Sequence, residues 1–214
     1  MTPVAEGVRT CLNGHPYIVV RGRLVLTRLK GDSKRFFDFH ARQLHRLGFS
    51  PLATSLLGMC MAVGSSLLYY FSAGNRPFLW LAAALLLLSG FFDALDGSLA
   101  RLYGKVAKFG GFCDSVIDKI GEMLVLSAIV LAGLCSIFWG LWAISSSILV
   151  SYTRARGESE GANMTVGVAE RPERLLILFA STLAEAINVG IIVISILASV
   201  TVAQRIHRAH RELA

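Results

Sequence analysis

The chain has 214 residues, of which 54% are hydrophobic and only 16% are charged, and its formal net charge is +7 at pH 7. In a soluble domain about a quarter of all residues are charged, so this composition argues against a soluble globular protein. The shortage of charge begins at about Pro51, because the residues before it are polar and basic. We therefore expect an N-terminal cytosolic segment at residues 1–50 and one membrane domain at residues 51–214.

The N-terminal segment contains one recognisable pattern. Residues 33–47 mix phenylalanine and leucine with lysine and arginine in the manner of an amphipathic helix. Such a helix suits the anionic cytosolic surface of a membrane. A helix packed on the protein's own loops explains the pattern equally well. Residues 1–32 show no pattern that we can interpret.

The rest of the chain alternates long apolar runs with short charged loops. The region 175–202 is long enough for two spans, and Glu185 interrupts it, so we place a hairpin near residues 184–188 and expect the fifth span to be short. Together these runs predict an all-α membrane protein with six transmembrane helices. The four earlier runs of spanning length lie at roughly 51–73, 77–95, 112–134 and 136–152.

The basic residues indicate the orientation of these spans. With a cytosolic N-terminus and six spans, Arg76 is the one basic residue on the far side. Because cytoplasmic loops carry an excess of Lys and Arg, this predicts a multi-pass protein of the cell membrane with both termini in the cytoplasm. The inside segments are residues 1–50, 101–111, 153–174 and 204–214.

Four aspartates stand out in the second and third spans. Asp93 and Asp96 are three residues apart and end the second span, whereas Asp114 and Asp118 are four residues apart and begin the third. Each pair shares one helix face, so antiparallel helix ends would bring all four carboxylates together. An aspartate at the centre of a membrane helix costs about 2.5–3.5 kcal/mol. Four of them need neutralising cations, and hard oxygen ligands favour Mg²⁺, Mn²⁺ or Ca²⁺.

Two such ions would suit a displacement at phosphorus, because they stabilise both the attacking and the leaving oxygens. Gly97 and Gly110 flank the aspartates, and their missing side chains would let a ligand approach the backbone closely. Ordinary helix packing in membranes explains these glycines equally well.

The motif D-x2-D-G-x2-A-R-x8-G-x3-D-x3-D, at residues 93–118, resembles the signature of the CDP-alcohol phosphatidyltransferase family. The resemblance implies six transmembrane helices, a homodimer and a reaction that depends on Mg²⁺ or Mn²⁺. In that reaction a CDP-linked lipid alcohol donates its phosphatidyl group to an acceptor hydroxyl, and CMP leaves.

The resemblance also implies roles for single residues. Asp93, Asp96 and Asp114 would be the main ligands of two metal ions, and Asp118 would complete the metal site and act as general base on the acceptor hydroxyl. Ser55 stands where the family usually has Thr and keeps the hydroxyl group. The implied CDP-binding residues are Ser55, Asp93, Gly97, Ala100, Arg101, Gly110 and Asp114.

Three basic clusters, at residues 152–156, 170–174 and 204–207, indicate which acceptor the enzyme uses. Guanidinium groups bind phosphate bidentately, although positive-inside anchoring alone also predicts arginine at these places. The patterns Y-x-[KR]-A-R and E-R-P-E-R are similar to the inositol phosphate branch of the family, the phosphatidylinositol phosphate and archaetidylinositol phosphate synthases. The expected ligands of the acceptor phosphate are Arg154, Arg171, Arg174 and Arg205.

We therefore expect transfer of a phosphatidyl or archaetidyl group from CDP-diacylglycerol or CDP-archaeol to inositol 1-phosphate at a cytoplasmic active site. The partners are these substrates and membrane lipid, with no nucleic acid. Within the superfamily, the alternatives are a phosphatidylglycerophosphate synthase, a synthase joining CDP-inositol to inositol phosphate, and an enzyme that uses free inositol or serine. Outside it, they are an intramembrane prenyltransferase and a divalent-cation transporter, which would hold its carboxylates near the bilayer midplane.

Overall fold

A computed structural model describes residues 24–104 and 108–214, and it describes side chains in residues 35–104 and 109–214. The first part of the predicted N-terminal segment, residues 1–23, lies outside the described residues, as does the middle of the predicted loop at 101–111. Within the described residues the chain is all-helical, with seven helices and no strand. The helices are α1 (Leu24–Arg46), α2 (Pro51–Phe71), α3 (Arg76–Leu102), α4 (Lys108–Leu131), α5 (Ile137–Ser159), α6 (Arg171–Leu183) and α7 (Ile187–Leu213).

The chain divides into two units, residues 1–36 and residues 37–214. Of the first unit the structure describes residues 24–36, which form the beginning of α1. Within the second unit, the remainder of α1 buries Ala41 against Leu95 and Leu99 of α3. The same part of α1 leaves Phe39 59% exposed, so its apolar residues do not all face the protein. The amphipathic helix expected at 33–47 therefore falls within a longer helix, and its place at a membrane surface stays a prediction.

Three helices in the described part of the chain, α2, α3 and α7, are long and apolar enough to cross a membrane. Helix α6 has only 13 residues, which agrees with the short fifth span expected from the sequence. Helix α3 continues to Leu102, beyond the apolar run predicted to end at residue 95, so that Asp93 and Asp96 lie inside a helix.

Local sequence explains where several helices begin and end. Ser50 caps α2 by accepting a hydrogen bond from the backbone N–H of Ala53, and Pro51 occupies the first helical position. Pro172 lies in the first turn of α6 in the same way. The break between α6 and α7 is centred on Glu185, which has a positive φ of 56°. That break lies within the hairpin predicted at residues 184–188.

The last six helices form a closed ring. In the described residues, α2 packs on α3, α3 on α6, α6 on α7, α7 on α5, α5 on α4, and α4 on α2. The apolar core inside the ring includes Tyr69, Leu79 and Ile129. Tyr69 satisfies its buried hydroxyl there through a 2.8 Å hydrogen bond with Thr182.

Candidate active site

Three of the four predicted aspartates meet at one place in the ring. One oxygen from each of Asp93, Asp114 and Asp118 lies within 4.8 Å of the other two. Asp114 also has a buried oxygen, Oδ1, without a hydrogen-bond partner among the described residues. A buried acceptor without a partner is costly, and hard carboxylate oxygens are the ligands that Mg²⁺ and Mn²⁺ prefer. These three residues, called the carboxylate cluster below, therefore fit a divalent cation.

Asp96 is held differently from the other three. Its side chain is almost fully buried, with 4% of the residue exposed. Ser55 Oγ, in the first turns of α2, lies 2.6 Å from Asp96 Oδ2 and donates a hydrogen bond to it. Asp96 and Ser55 nevertheless line the same cleft as Asp93 and Asp118. The sequence placed all four aspartates together, and the structure adds that a hydroxyl group from a third helix orients one of them.

Helix α2 is the element on which the two aspartate-bearing helices converge. A Cβ atom added to Gly58 of α2 would lie 3.3 Å from the backbone oxygen of Ser89 in α3. A Cβ atom on Gly121 of α4 would lie 3.1 Å from the Cβ of Ala62 in α2. Both distances are tighter than usual contacts, so small residues let α3 and α4 approach the same helix closely enough for their carboxylates to meet.

The remaining residues expected to bind CDP lie beside the cluster, at the C-terminal end of α3 and the N-terminal end of α4. Gly97 follows Asp96 directly, and the nearest atom to a Cβ built there is Arg101 Nη1 at 3.5 Å. Arg101 is exposed, and its Nη2 donates a 3.0 Å hydrogen bond to Ser98 Oγ. Ala100 and Gly110 are half-buried. This end of α3 therefore offers open backbone and one exposed cation, and the CDP contacts themselves stay a prediction.

The side chain of Arg171 contacts the carboxylate cluster. Its Nη1 atom lies 2.6 Å from Asp93 Oδ2 and 2.6 Å from Asp118 Oδ2, and 22% of its side chain is exposed. Arg171 is the first residue of α6, so a third helix supplies a cation to carboxylates from α3 and α4. The sequence assigned this residue to the acceptor phosphate, and did not indicate that it contacts the aspartates.

Arg174 is buried in an ion network with α4. Its Nε and Nη2 atoms each lie 2.7 Å from Glu122 Oε1, and its Nη1 donates a 2.8 Å hydrogen bond to the backbone oxygen of Ala169. Lys119 Nζ lies 2.5 Å from the other oxygen of Glu122. Only 3% of the Arg174 side chain is exposed, so most of its donors already have protein partners.

Arg205 and Arg154 share a different carboxylate, that of Glu170. Arg205 is 2% exposed and donates to Glu170 at 3.0 Å and to the backbone oxygen of Val166 at 2.9 Å. It also donates to the backbone oxygen of Val150. Arg154 is 44% exposed and pairs with Glu158 at 3.0 Å and with Glu170 at 3.4 Å. Of the four arginines assigned to the acceptor, Arg154 thus has the most accessible side chain.

Two neighbouring cavities lie among these groups. The first is the cleft lined by Ser55, Asp93, Asp96 and Asp118. The second is lined by Glu122 and Arg174 together with apolar side chains from five helices. The two cavities share four lining residues, so they lie next to each other inside the ring. The shared residues are Ala62, Ser89, Gly121 and Arg171.

Sequence reasoning missed Glu122 and Lys119. Glu122 follows Asp118 by four residues and continues the helix face of Asp114 and Asp118, so the i, i+4 spacing was a usable signal. Lys119 adds a contact to the backbone oxygen of Ser147 at 3.4 Å and so links α4 to α5. Such a buried charge set inside a membrane bundle marks a functional region by default.

The chain is similar to proteins of a known family. A family model described as CDP-alcohol phosphatidyltransferase matches residues 50–203. An archaetidylinositol phosphate synthase from Pyrococcus horikoshii is 35% identical over 190 residues, which cover 88% of this chain and 98% of that protein.

Solved structures of the phosphatidylinositol phosphate synthase of Mycobacterium tuberculosis share the fold. The structure with CDP-DAG bound superposes with a TM-score of 0.69 and 26% identity, covering 82% of this chain and 94% of that chain. The complex with manganese and citrate gives the same TM-score and identity, covering 81% and 88%.

Proposed function

Because the chain belongs to the CDP-alcohol phosphatidyltransferase family, we propose that it transfers a phosphatidyl or archaetidyl group from a CDP-lipid to inositol 1-phosphate and releases CMP. The observation that carries this proposal is that the cleft at the carboxylate cluster lies next to a cavity lined by Arg171 and Arg174 within one ring of helices. A cluster of carboxylates suits a cation on a diphosphate, and the neighbouring arginines suit an acceptor that itself carries phosphate. The names of the relatives from Pyrococcus and Mycobacterium support the same acceptor.

The metal would be held by Asp93, Asp114 and Asp118, with Asp96 completing the set. The donor set fits Mg²⁺ or Mn²⁺, and we propose two ions; the manganese complex of the mycobacterial relative supports this class of cation. When bound, such ions neutralise the diphosphate and polarise the phosphorus that is attacked. The side chains of Ser55 and Arg101, together with the close backbone at Gly97, Ala100 and Gly110, would position the CDP moiety next to the metal.

Asp118 would act as the general base. It would accept the proton of an inositol hydroxyl as the hydroxyl oxygen forms a bond with the lipid-side phosphorus of the donor. The bond between that phosphorus and the oxygen that bridges to the cytidylate would break, and CMP would leave with the bond's electron pair. Arg171 Nη1 lies 2.6 Å from Asp118 Oδ2, so a cationic side chain is adjacent to the proposed base.

Arg154, Arg171, Arg174 and Arg205 would provide the acceptor-phosphate site. Glu122 and Glu170 hold three of these side chains, so the site would be preorganised by protein contacts before the acceptor arrives. Arg154, the most exposed of them, would make the most direct contact with the phosphate.

We also propose the membrane arrangement. Helices α2 to α7 would be the six spans, with both termini and the carboxylate cluster on the cytoplasmic side, as the distribution of basic residues predicts. Residues 1–50 would form the cytosolic segment, with part of α1 at the membrane surface. A homodimer is the assembly that the family resemblance implies.

An acceptor panel tests the proposal. Purified protein would be incubated with CDP-diacylglycerol or CDP-archaeol, Mg²⁺ or Mn²⁺, and inositol 1-phosphate, glycerol 3-phosphate, inositol or serine. CMP release and mass spectrometry of the extracted lipid would report the reaction, with Asp118→Asn as the inactive control. We expect turnover with inositol 1-phosphate. Turnover with glycerol 3-phosphate alone would mean that the acceptor is glycerol 3-phosphate. A separate incubation with CDP-inositol and inositol 1-phosphate that yields a product without lipid would mean that the donor is CDP-inositol.

A further inference from the structure

Arg171 connects the two halves of the site through an unusual contact. One nitrogen, Nη1, lies 2.6 Å from oxygens of both Asp93 and Asp118, although these residues belong to different helices. The guanidinium group thus lies between two carboxylates whose oxygens also belong to the carboxylate cluster.

A divalent cation would compete with the guanidinium group for these carboxylates. Mg²⁺ binds carboxylate oxygens at about 2.0–2.1 Å, so it would bind the same two carboxylates that Nη1 contacts. The positive charge of Arg171 also opposes a cation that binds beside it. Conversely, the carboxylates of the cluster repel one another when no cation neutralises them, so the Arg171 contact stabilises the cluster.

The position of Arg171 on α6 determines where it could move. Arg174 follows it by three residues, and both side chains line the second cavity. Arg171 lines the first cavity as well, so its side chain borders both. A guanidinium group that leaves the aspartates can therefore turn toward Glu122 and Arg174 in a cavity that is otherwise mostly apolar, where the proposed acceptor phosphate would be its anionic partner.

We propose that Arg171 is an internal counter-cation that couples the metal site to the acceptor site. Binding of a divalent cation displaces its guanidinium group from Asp93 and Asp118, and the released group then binds the acceptor phosphate. Metal binding therefore precedes and strengthens acceptor binding. The first step depends only on the contacts of Arg171, whereas the second step rests on the proposed function.

Mn²⁺ binding tests the first step without turnover. The affinity of the purified protein for Mn²⁺ would be measured by electron paramagnetic resonance of the free ion. We expect Arg171→Gln to bind Mn²⁺ at least about tenfold more tightly than the unmodified protein, because a competing charge is removed. Arg156→Gln is the matched control, since it removes the same charge from a side chain that is 63% exposed and pairs with Glu160. Unchanged or weaker binding by Arg171→Gln would overturn the proposal.

A second measurement uses the unmodified protein and so does not depend on the folding of a variant. Phenylglyoxal modifies accessible arginines, and peptide mass spectrometry would quantify its reaction at Arg171. We expect Mn²⁺ to increase modification of Arg171 several-fold, and inositol 1-phosphate added with Mn²⁺ to reverse the increase. If Mn²⁺ leaves the modification unchanged, the displacement is wrong. If Mn²⁺ increases it and glycerol 3-phosphate reverses it instead of inositol 1-phosphate, the displacement holds and the proposed acceptor is wrong.

Discussion

Ser55 Oγ lies 2.6 Å from Asp96 Oδ2 and donates a hydrogen bond to it, which joins the first turns of α2 to the aspartate-bearing part of α3. Both residues are buried. Hydrogen bonds to a charged group contribute about 1.5–3 kcal/mol, so this contact is strong enough to set the direction of the Asp96 carboxylate. It also gives a physical reason for a hydroxyl-bearing residue at position 55.

We expect Ser55→Ala to lower metal-dependent CMP release about 10- to 100-fold, since the loss of this hydrogen bond frees the Asp96 carboxylate. Ser55→Thr keeps the hydroxyl and should retain most of the activity. The matched control is Ser66→Ala, because Ser66 donates to the backbone oxygen of Val63 in its own helix and lies away from the aspartates. Equal activity of Ser55→Ala and Ser66→Ala would exclude an orienting role for Ser55.

Gly97→Ala tests whether Gly97 is needed for the approach of a ligand or for the packing of the protein. A Cβ at this position meets no protein atom closer than Arg101 Nη1 at 3.5 Å, so the helix should fold as before. If the CDP group passes over the backbone here, the new methyl group should raise the KM for the CDP-lipid about tenfold or more. Gly111→Ala is the control, because the space around that position is open within 4 Å. An unchanged KM in Gly97→Ala would place the nucleotide elsewhere.

Glu122→Gln should destabilise the protein. The substitution leaves Arg174, whose side chain is 3% exposed, and Lys119 without their carboxylate partner. Breaking a buried ion pair from one side costs about 3–5 kcal/mol, which should appear as a clear fall in the thermal unfolding midpoint in detergent. Glu160→Gln removes the partner of the exposed Arg156 and should cost less than about 1 kcal/mol. Similar midpoints for the two variants would mean that Glu122 does not support Arg174.

Arg154→Ala tests the acceptor site with the smallest effect on folding, because this side chain is 44% exposed. We expect the KM for inositol 1-phosphate to rise about tenfold, as a guanidinium–phosphate contact is lost, while the KM for the CDP-lipid stays the same. Arg156→Ala, on the same helix but paired with Glu160, should leave both values unchanged. If both variants change the donor KM instead, the basic residues at the end of α5 act on the CDP-lipid or on the membrane surface.

The helices could be predicted from the sequence because their signals are local. Pro51 and Pro172 mark first turns, and the interruption at Glu185 coincides with the break between α6 and α7. The apolar run ending at residue 95 underestimated α3, because hydropathy counts apolar residues whereas backbone hydrogen bonding continues through polar ones to Leu102. The spacing of Asp114 and Asp118 similarly predicts that both carboxylates lie on one face of α4. The same spacing extends this face to Glu122.

The sequence by itself determined the helical class, the spacing of the aspartates and the family to which that spacing belongs, since each depends on residues close together in the chain. Only the tertiary structure decided which charges meet. Arg171 contacts Asp93 and Asp118, Arg174 contacts Glu122, and Arg205 contacts Glu170. These pairs follow from how α6 and α7 pack against α3, α4 and α5, and such packing depends on side-chain shape across the whole ring. The number of arginines near a membrane surface does not indicate which carboxylate each one contacts. The four arginines that are equivalent candidates in the sequence therefore have four different environments in the fold.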